Sequence, residues 1–146
     1  MLKIFTKPTG GYTWLHPSRT WRTANNEEYY SWRKPIYTPC PGRLKFQSRD
    51  TADSPSFAPN NERSRTVNSV VIEAEENGAQ VQLLHFAKDS VAVELGERVS
   101  PSKLIASCGN SGQTGWPHLH IEFRIPPKSK SYSDAIPLNS STFVCR

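Results

Sequence analysis

The sequence has no apolar run long enough to cross a bilayer, and the opening Met1-Leu2-Lys3-Ile4-Phe5 is far shorter than the hydrophobic centre of an export signal. No helical membrane span is expected, and work outside the cytoplasm would need a signal that these residues do not carry. Cysteine is scarce: Cys40, Cys108 and Cys145 cannot all pair within one molecule, and none stands in a Cys-x-x-Cys pair. That removes a zinc knuckle or a dithiol redox couple, and small buried thiols are the expectation. Heptads, internal repeats and low-complexity tracts are missing as well. Aspartate is late to appear, the first of the chain being Asp50.

What is present fits one folded unit. A length of 146 residues suits a single core, and 36% hydrophobic residues with four Trp, five Tyr and six Phe are enough for a β-rich domain rather than a disordered chain. Twelve prolines interrupt nearly every stretch that could run as a helix, so the loops should be long. The formal net charge of +5 favours polyanions, whether nucleic acid or the anionic polymers of a cell envelope, without choosing between them.

Residues 1–34 mix aromatic and polar residues without a period and read as an irregular lead-in. Pro35 to Thr38 and Gly42 to Phe46 read as two short strands around the turn Pro39-Cys40-Pro41-Gly42. Arg49 to Val67 is polar and is expected to be an exposed insertion. Asn68 to Glu73 and Ala79 to His85 alternate apolar positions on either side of Asn77-Gly78, a strong hairpin signal. Val81, Leu83 and His85 should share a face. Val91 to Glu97, Leu104 to Cys108 and His118 to Ile125 complete the strands, and Ser141 to Cys145 could add an edge strand within residues 126–146. The class is all-β with an antiparallel sheet core and long loops.

Only four histidines exist, and two form His118-Leu119-His120 at the opening of an expected strand. Residues two apart on a strand face the same way, so both imidazoles would stand on one side and Leu119 on the other. Two convergent imidazoles can bind a metal, or one can ligate while the other moves protons. Two histidines on a solvent face would look the same in sequence. The text ahead of them narrows the choice: Gly109-Asn110-Ser111-Gly112-Gln113-Thr114-Gly115 is a loop of small residues that can approach a ligand closely, and Trp116-Pro117 fixes its approach to the strand.

The stretch from Gly109 through His118-Leu119-His120 to Phe123 resembles the signature of the lysostaphin-type (LytM-like) zinc metallopeptidases. Asn68 to Ile72 and Leu83-Leu84-His85-Phe86 are similar to that family's hairpin, whose second strand ends in a histidine. Gly96 to Ile105 and Pro35 to Gly42 are similar to its turn-rich segment and its first strand and turn. The resemblance covers residues 35–125 and implies a duplicated-hybrid-motif-like β-sandwich. It also implies Zn2+ as cofactor, hydrolysis of cross-link peptides in peptidoglycan as activity, and the cell envelope or exterior as workplace. Carried over residue by residue, His120 is a metal ligand, while His85 and His118 orient and deprotonate the attacking water and stabilise charge on the peptide oxygen.

In that family a His and an Asp from an upstream His-x-x-x-Asp complete the zinc site, and no such motif precedes Pro35 here. His16 is followed four positions later by Thr20, which is no carboxylate; Glu27 or Glu28 with Asn25 or Asn26 could offer oxygens without a matching pattern. Either the motif stands upstream of these residues, or this is a non-catalytic copy that binds cell wall or regulates its hydrolases. A third reading takes the lead-in as a nucleic-acid surface, because Trp14, Arg19, Trp21, Arg22, Trp32, Arg33 and Lys34 interleave charge with stacking surfaces. Aromatics packed over the sheet would give the same pattern, and no compact nucleic-acid motif is present.

Overall fold

The computed structural model describes residues 25–124. Seven strands form in chain order: β1 (Pro35–Tyr37), β2 (Gly42–Ser48), β3 (Ser69–Ala74), β4 (Gln80–Leu84), β5 (Arg98–Val99), β6 (Leu104–Ser107) and β7 (His120–Arg124). Two 3-10 turns, Asn26–Glu28 and Asn60–Glu62, are the helical elements among the described residues. Five strands make one sheet in the order β5-β2-β3-β4-β7, and β1 pairs with β6 in a second. Every pairing is antiparallel. The all-β, antiparallel architecture expected from the sequence is therefore the one observed.

The alternation read from the sequence fixes which face of the large sheet is inside. Val70, Ile72, Val81 and Leu83 are buried, and Val81 and Leu83 register with Phe123 and Ile121 of β7. Leu44 of β2 and Ile36, Ile105 and Ala106 of the small sheet pack into the same cluster, so the two sheets share one core. Burying each such aliphatic side chain contributes about 1.5–3 kcal/mol before entropy is counted. The β3–β4 hairpin forms where Asn77-Gly78 points, but around four residues rather than two. Ala74 N–H donates to Ala79 O (2.8 Å), and Asn77 Oδ1 accepts from Ala79 N–H (2.9 Å).

Three expectations need correction. Val91 to Glu97 starts with the in-and-out burial of a strand, Val91 and Val93 inside and Ala92 outside, but Leu95 is exposed and the segment forms no ladder. Ala92 N–H donates to Ile105 O, Gly96 N–H donates to Leu44 O of β2 and Leu44 N–H donates to Glu97 O, but a named strand begins only at β5. Apolar alternation reports burial, which an extended loop can satisfy without a neighbouring strand. His118 and Leu119 precede β7, which opens at His120, although Leu119 is buried as expected.

The third correction concerns Arg49 to Val67, which is not simply an exposed insertion. It folds back along the Gly109–Gly115 loop. Ser54 and Ala58 are buried, Asp53 makes an isolated bridge with Ser111, and Phe57 N–H donates to Gly115 O (2.8 Å). Its polarity misled because its partners are backbone amides and carbonyls rather than apolar side chains. The edge strand expected at Ser141 to Cys145 lies outside the described residues. Cys40 and Cys108 are both buried, as expected.

Candidate active site

The site begins with a fault in a strand. Leu83 faces the core, so regular pleating would send His85 inward and Phe86 outward; instead Phe86 is fully buried. The phase changes at His85, whose φ of +69° lies in the left-handed region that few non-glycine residues occupy. Ser69 still registers with Leu84, but the next bond joins Phe86 N–H to Asn68 O (3.2 Å), so one extra residue stands opposite a continuous β3. This is a bulge, and it takes His85 off the face it was expected to share with Val81 and Leu83.

The consequence is convergence. The His85 ring centroid lies 4.8 Å from that of His118 and 5.9 Å from that of His120. The structure thus brings together all three histidines singled out in the sequence. His120 is exposed at the start of β7, opposite Leu84, while His85 is only 8% exposed.

Two of the rings are held by carbonyls. His85 Nδ1 lies 2.7 Å from Ser111 O, and His118 Nδ1 lies 2.8 Å from Trp116 O and 3.2 Å from Thr114 Oγ1. A carbonyl only accepts, so each Nδ1 carries the proton and each Nε2 presents a lone pair. Burial pushes the His85 imidazole down to about 4, against a smaller opposing pull from the Ser111 carbonyl and with further lowering from His118 and His120. Burial likewise lowers His118, opposed by the Trp116 carbonyl. Both rings are therefore neutral bases near pH 7.

The carbonyl that aims His85 is itself anchored. Ser111 Oγ donates to Phe86 O (2.7 Å) and accepts from Asn68 N–H (3.1 Å). Asp53 grips the loop from the other side, its Oδ1 accepting from Asn110 N–H (2.6 Å) and its Oδ2 from Lys88 N–H (3.0 Å). Gly109 is needed where this clasp is tightest: a Cβ there would sit 2.2 Å from Ala87 N and 2.5 Å from Asp53 Oδ1. Gly112 has φ +85°, and its Cβ would meet Val67 at 2.9 Å. Asn110, fully buried, donates to Ser54 O (2.8 Å) and Asn26 Oδ1 (3.0 Å). The lead-in joins the same assembly through Ser31 Oγ, which donates to Pro117 O (2.7 Å).

Sequence reasoning missed Asp53, Phe57 and the anchoring role of Ser111. Nothing in Thr51-Ala52-Asp53-Ser54 marks an acidic residue whose partners are backbone amides some 35 and 57 positions away. Cys108, beside this network, is no candidate nucleophile. Burial first, then the Asp53 charge, pushes its thiol up to about 12, outweighing a hydrogen bond with Ser31.

A zinc ion needs about three protein donors even in an open catalytic site. Among the described residues there is no cluster of three or more histidine, cysteine or acidic side chains arranged to hold a metal. The carboxylate tied into the loop is spent, both oxygens of Asp53 being taken by amides. His120 alone is short of a zinc site, and residues 25–124 do not fit the ion without further donors.

A two-sheet antiparallel β-domain, a glycine loop clasped against its edge and imidazoles gathered at the end of that loop define a LytM-like peptidase domain. The chain belongs to peptidase family M23, whose sequence profile matches residues 30–134. No curated protein gives a significant match. Among solved structures, the chain is similar to LytU, at 19% identity over 88% of this chain and 72% of that one, TM-score 0.52. It is also similar to the catalytic domain of lysostaphin from Staphylococcus simulans, at 15% identity over 75% and 77% of the two chains, TM-score 0.51. A zinc-containing peptidase from Vibrio cholerae matches at 23% identity and TM-score 0.47 over 66% of this chain, which spans about a quarter (24%) of that protein's length. These likenesses concern the fold.

Proposed function

We propose that this is an M23 endopeptidase-like domain directed at the cross-link peptides of peptidoglycan, with His85 and His118 as the proton-handling pair and His120 as the metal-facing imidazole. Zinc donors from beyond residues 25–124 would be needed to complete it. The observation that carries the reading is the convergence of three imidazoles, two of them aimed by backbone carbonyls, at the end of a loop fastened on both sides. A neutral imidazole with its Nδ1 committed to a carbonyl can take a proton from water at Nε2 and return it to a departing amine. Two such groups, independently anchored, suit the two proton transfers of amide hydrolysis. Membership of a peptidase family and likeness to lysostaphin support the substrate class.

A second reading is favoured by the lack of further metal donors among the described residues: a non-catalytic domain that uses the same imidazole-lined surface to bind cell wall or to regulate a wall hydrolase. Zinc analysis of the full chain, with a sacculus-digestion and pull-down assay, separates the two. One equivalent of zinc, with hydrolysis that disappears in His120→Ala, carries the first. A metal-free chain that still binds sacculi, and does so equally as His118→Ala, carries the second. Hydrolysis by demonstrably metal-free protein contradicts both.

A further inference from the structure

Each of the two anchored imidazoles is aimed by a carbonyl, but only one of them also meets a hydroxyl. Ser111 Oγ is engaged with Phe86 O and Asn68 N–H, while the ring of His85 is held by the Ser111 carbonyl. Around His118 the hydroxyl reaches the ring itself. Thr114 Oγ1 lies 3.0 Å from Trp116 O and 3.2 Å from His118 Nδ1, and Trp116 O lies 2.8 Å from the same Nδ1. The three polar atoms close a triangle. The loop brings Thr114 there: Gly112 takes φ +85°, Thr114 N–H donates to Gly112 O (3.0 Å), and after this tight reversal Thr114 is only 3% exposed.

The triangle admits one arrangement of protons. Trp116 O only accepts, so His118 Nδ1 carries a hydrogen, and a hydroxyl hydrogen aimed at that nitrogen would meet it head on. The Thr114 hydroxyl therefore donates to Trp116 O, and its oxygen takes a second share of the Nδ1 hydrogen. The contrast with His85 has a physical reason. His85 is nearly enclosed, so packing helps to hold its ring, whereas His118 is half-buried and water competes for its Nδ1 hydrogen and for the carbonyl that receives it. A buried hydroxyl bonded to both partners excludes that competition.

We propose that Thr114 is a positioning residue for His118: its hydroxyl pins the Trp116 carbonyl and the imidazole Nδ1 to each other, and so fixes the direction in which the Nε2 lone pair of His118 points. Thr114 acts through the ring and not on a substrate. The inference goes beyond the reading of His118 as a proton carrier and rests on it for its functional meaning.

The test is nitrogen-15 NMR of the histidine rings in the full chain at neutral pH, reading the ring nitrogen shifts and the exchange of the Nδ1 hydrogens with water. Wild-type protein is expected to show one His118 tautomer, protonated at Nδ1. Thr114→Val keeps the branched shape and loses the hydroxyl, and should exchange the His118 Nδ1 hydrogen about tenfold faster, the factor that one lost hydrogen bond gives. Thr114→Ser should restore the slow rate. His85, held by a different carbonyl, should keep its shifts and its rate in both variants. An unchanged His118 rate in Thr114→Val overturns the proposal, as does a Thr114→Ser variant that exchanges as fast as Thr114→Val. An equal change at His85 overturns it too, because it marks a general loosening. A poorly folded Thr114→Val does not shelter the idea, since a wild-type His118 protonated at Nε2 instead of Nδ1 overturns it without any variant. The measurement needs neither metal nor turnover, so its failure is distinct from a failure of the peptidase reading, which the sacculus assay reports.

Discussion

The five-stranded sheet and the clasped loop beside it are built on opposite principles. In the sheet, apolar side chains alternate along each strand, and Val70, Ile72, Val81 and Leu83 face one core. In the loop and the Arg49–Val67 segment that holds it, order comes from polar atoms meeting backbone: Asp53 on two amides, Asn68 on Thr51 and Phe86, Ser111 on Phe86. The first kind of order tolerates a change of residue at constant volume. The second depends on the number and placement of acceptors, so chemically small changes should matter there. The sheet supplies stability and the loop supplies aim.

The largest effect expected on this comparison comes from emptying the core. Phe86→Ala should cost about 3–5 kcal/mol of folding stability, read from urea unfolding, since Phe86 is fully buried at the junction of sheet and site. Acid comes next. The His85 ring is held at about 4 in the fold against 6.5 when free, so its contribution is complete above pH 6.5 and is lost as pH falls towards 4. The loss should reach about 3 kcal/mol in unfolding measurements across that window. It should shrink sharply in His85→Asn, where the amide does not titrate; an unchanged acid slope in that variant would place the sensitivity elsewhere.

Smaller effects probe the clasp. Asp53→Asn leaves one acceptor oxygen for two amides and should cost about 1–3 kcal/mol. Amide NMR shifts should move at Lys88, Asn110 and Ser111 while the β2–β3 strands stay in place; shifts spread evenly over the sheet would dissolve the distinction drawn between the two regions. Gly112→Ala should cost about 1–2 kcal/mol from its left-handed backbone, with added crowding against Val67. At the bottom of the scale, Arg98→Ala removes an ion pair with Glu75 that stands in solvent, and no measurable change in melting is expected.

The same contrast explains what could be read before any coordinates. Strands β2, β3, β4 and β7 and the hairpin at Asn77-Gly78 were legible because period-two burial and a turn dipeptide are local signals. The three histidines were legible through resemblance and through the His-x-His spacing. The bulge that makes them converge was not, since nothing in Leu83-Leu84-His85-Phe86 announces a left-handed residue until Phe86 is seen inside. Nor was Asp53, because a lone acid in a polar run reads as a solvated side chain. Polar contacts to main-chain atoms leave no complementary letter elsewhere in the sequence, and that is where prediction ran out.

Gly109 to Gly115 is tied at one end by Asp53 and Ser111 and at the other by the bond from Phe57 N–H to Gly115 O. A segment fastened in this way cannot serve as a flap. If a peptide binds at the imidazoles, as proposed, its association should proceed in one kinetic phase whose rate rises linearly with ligand concentration, without the plateau that a slow closing step imposes.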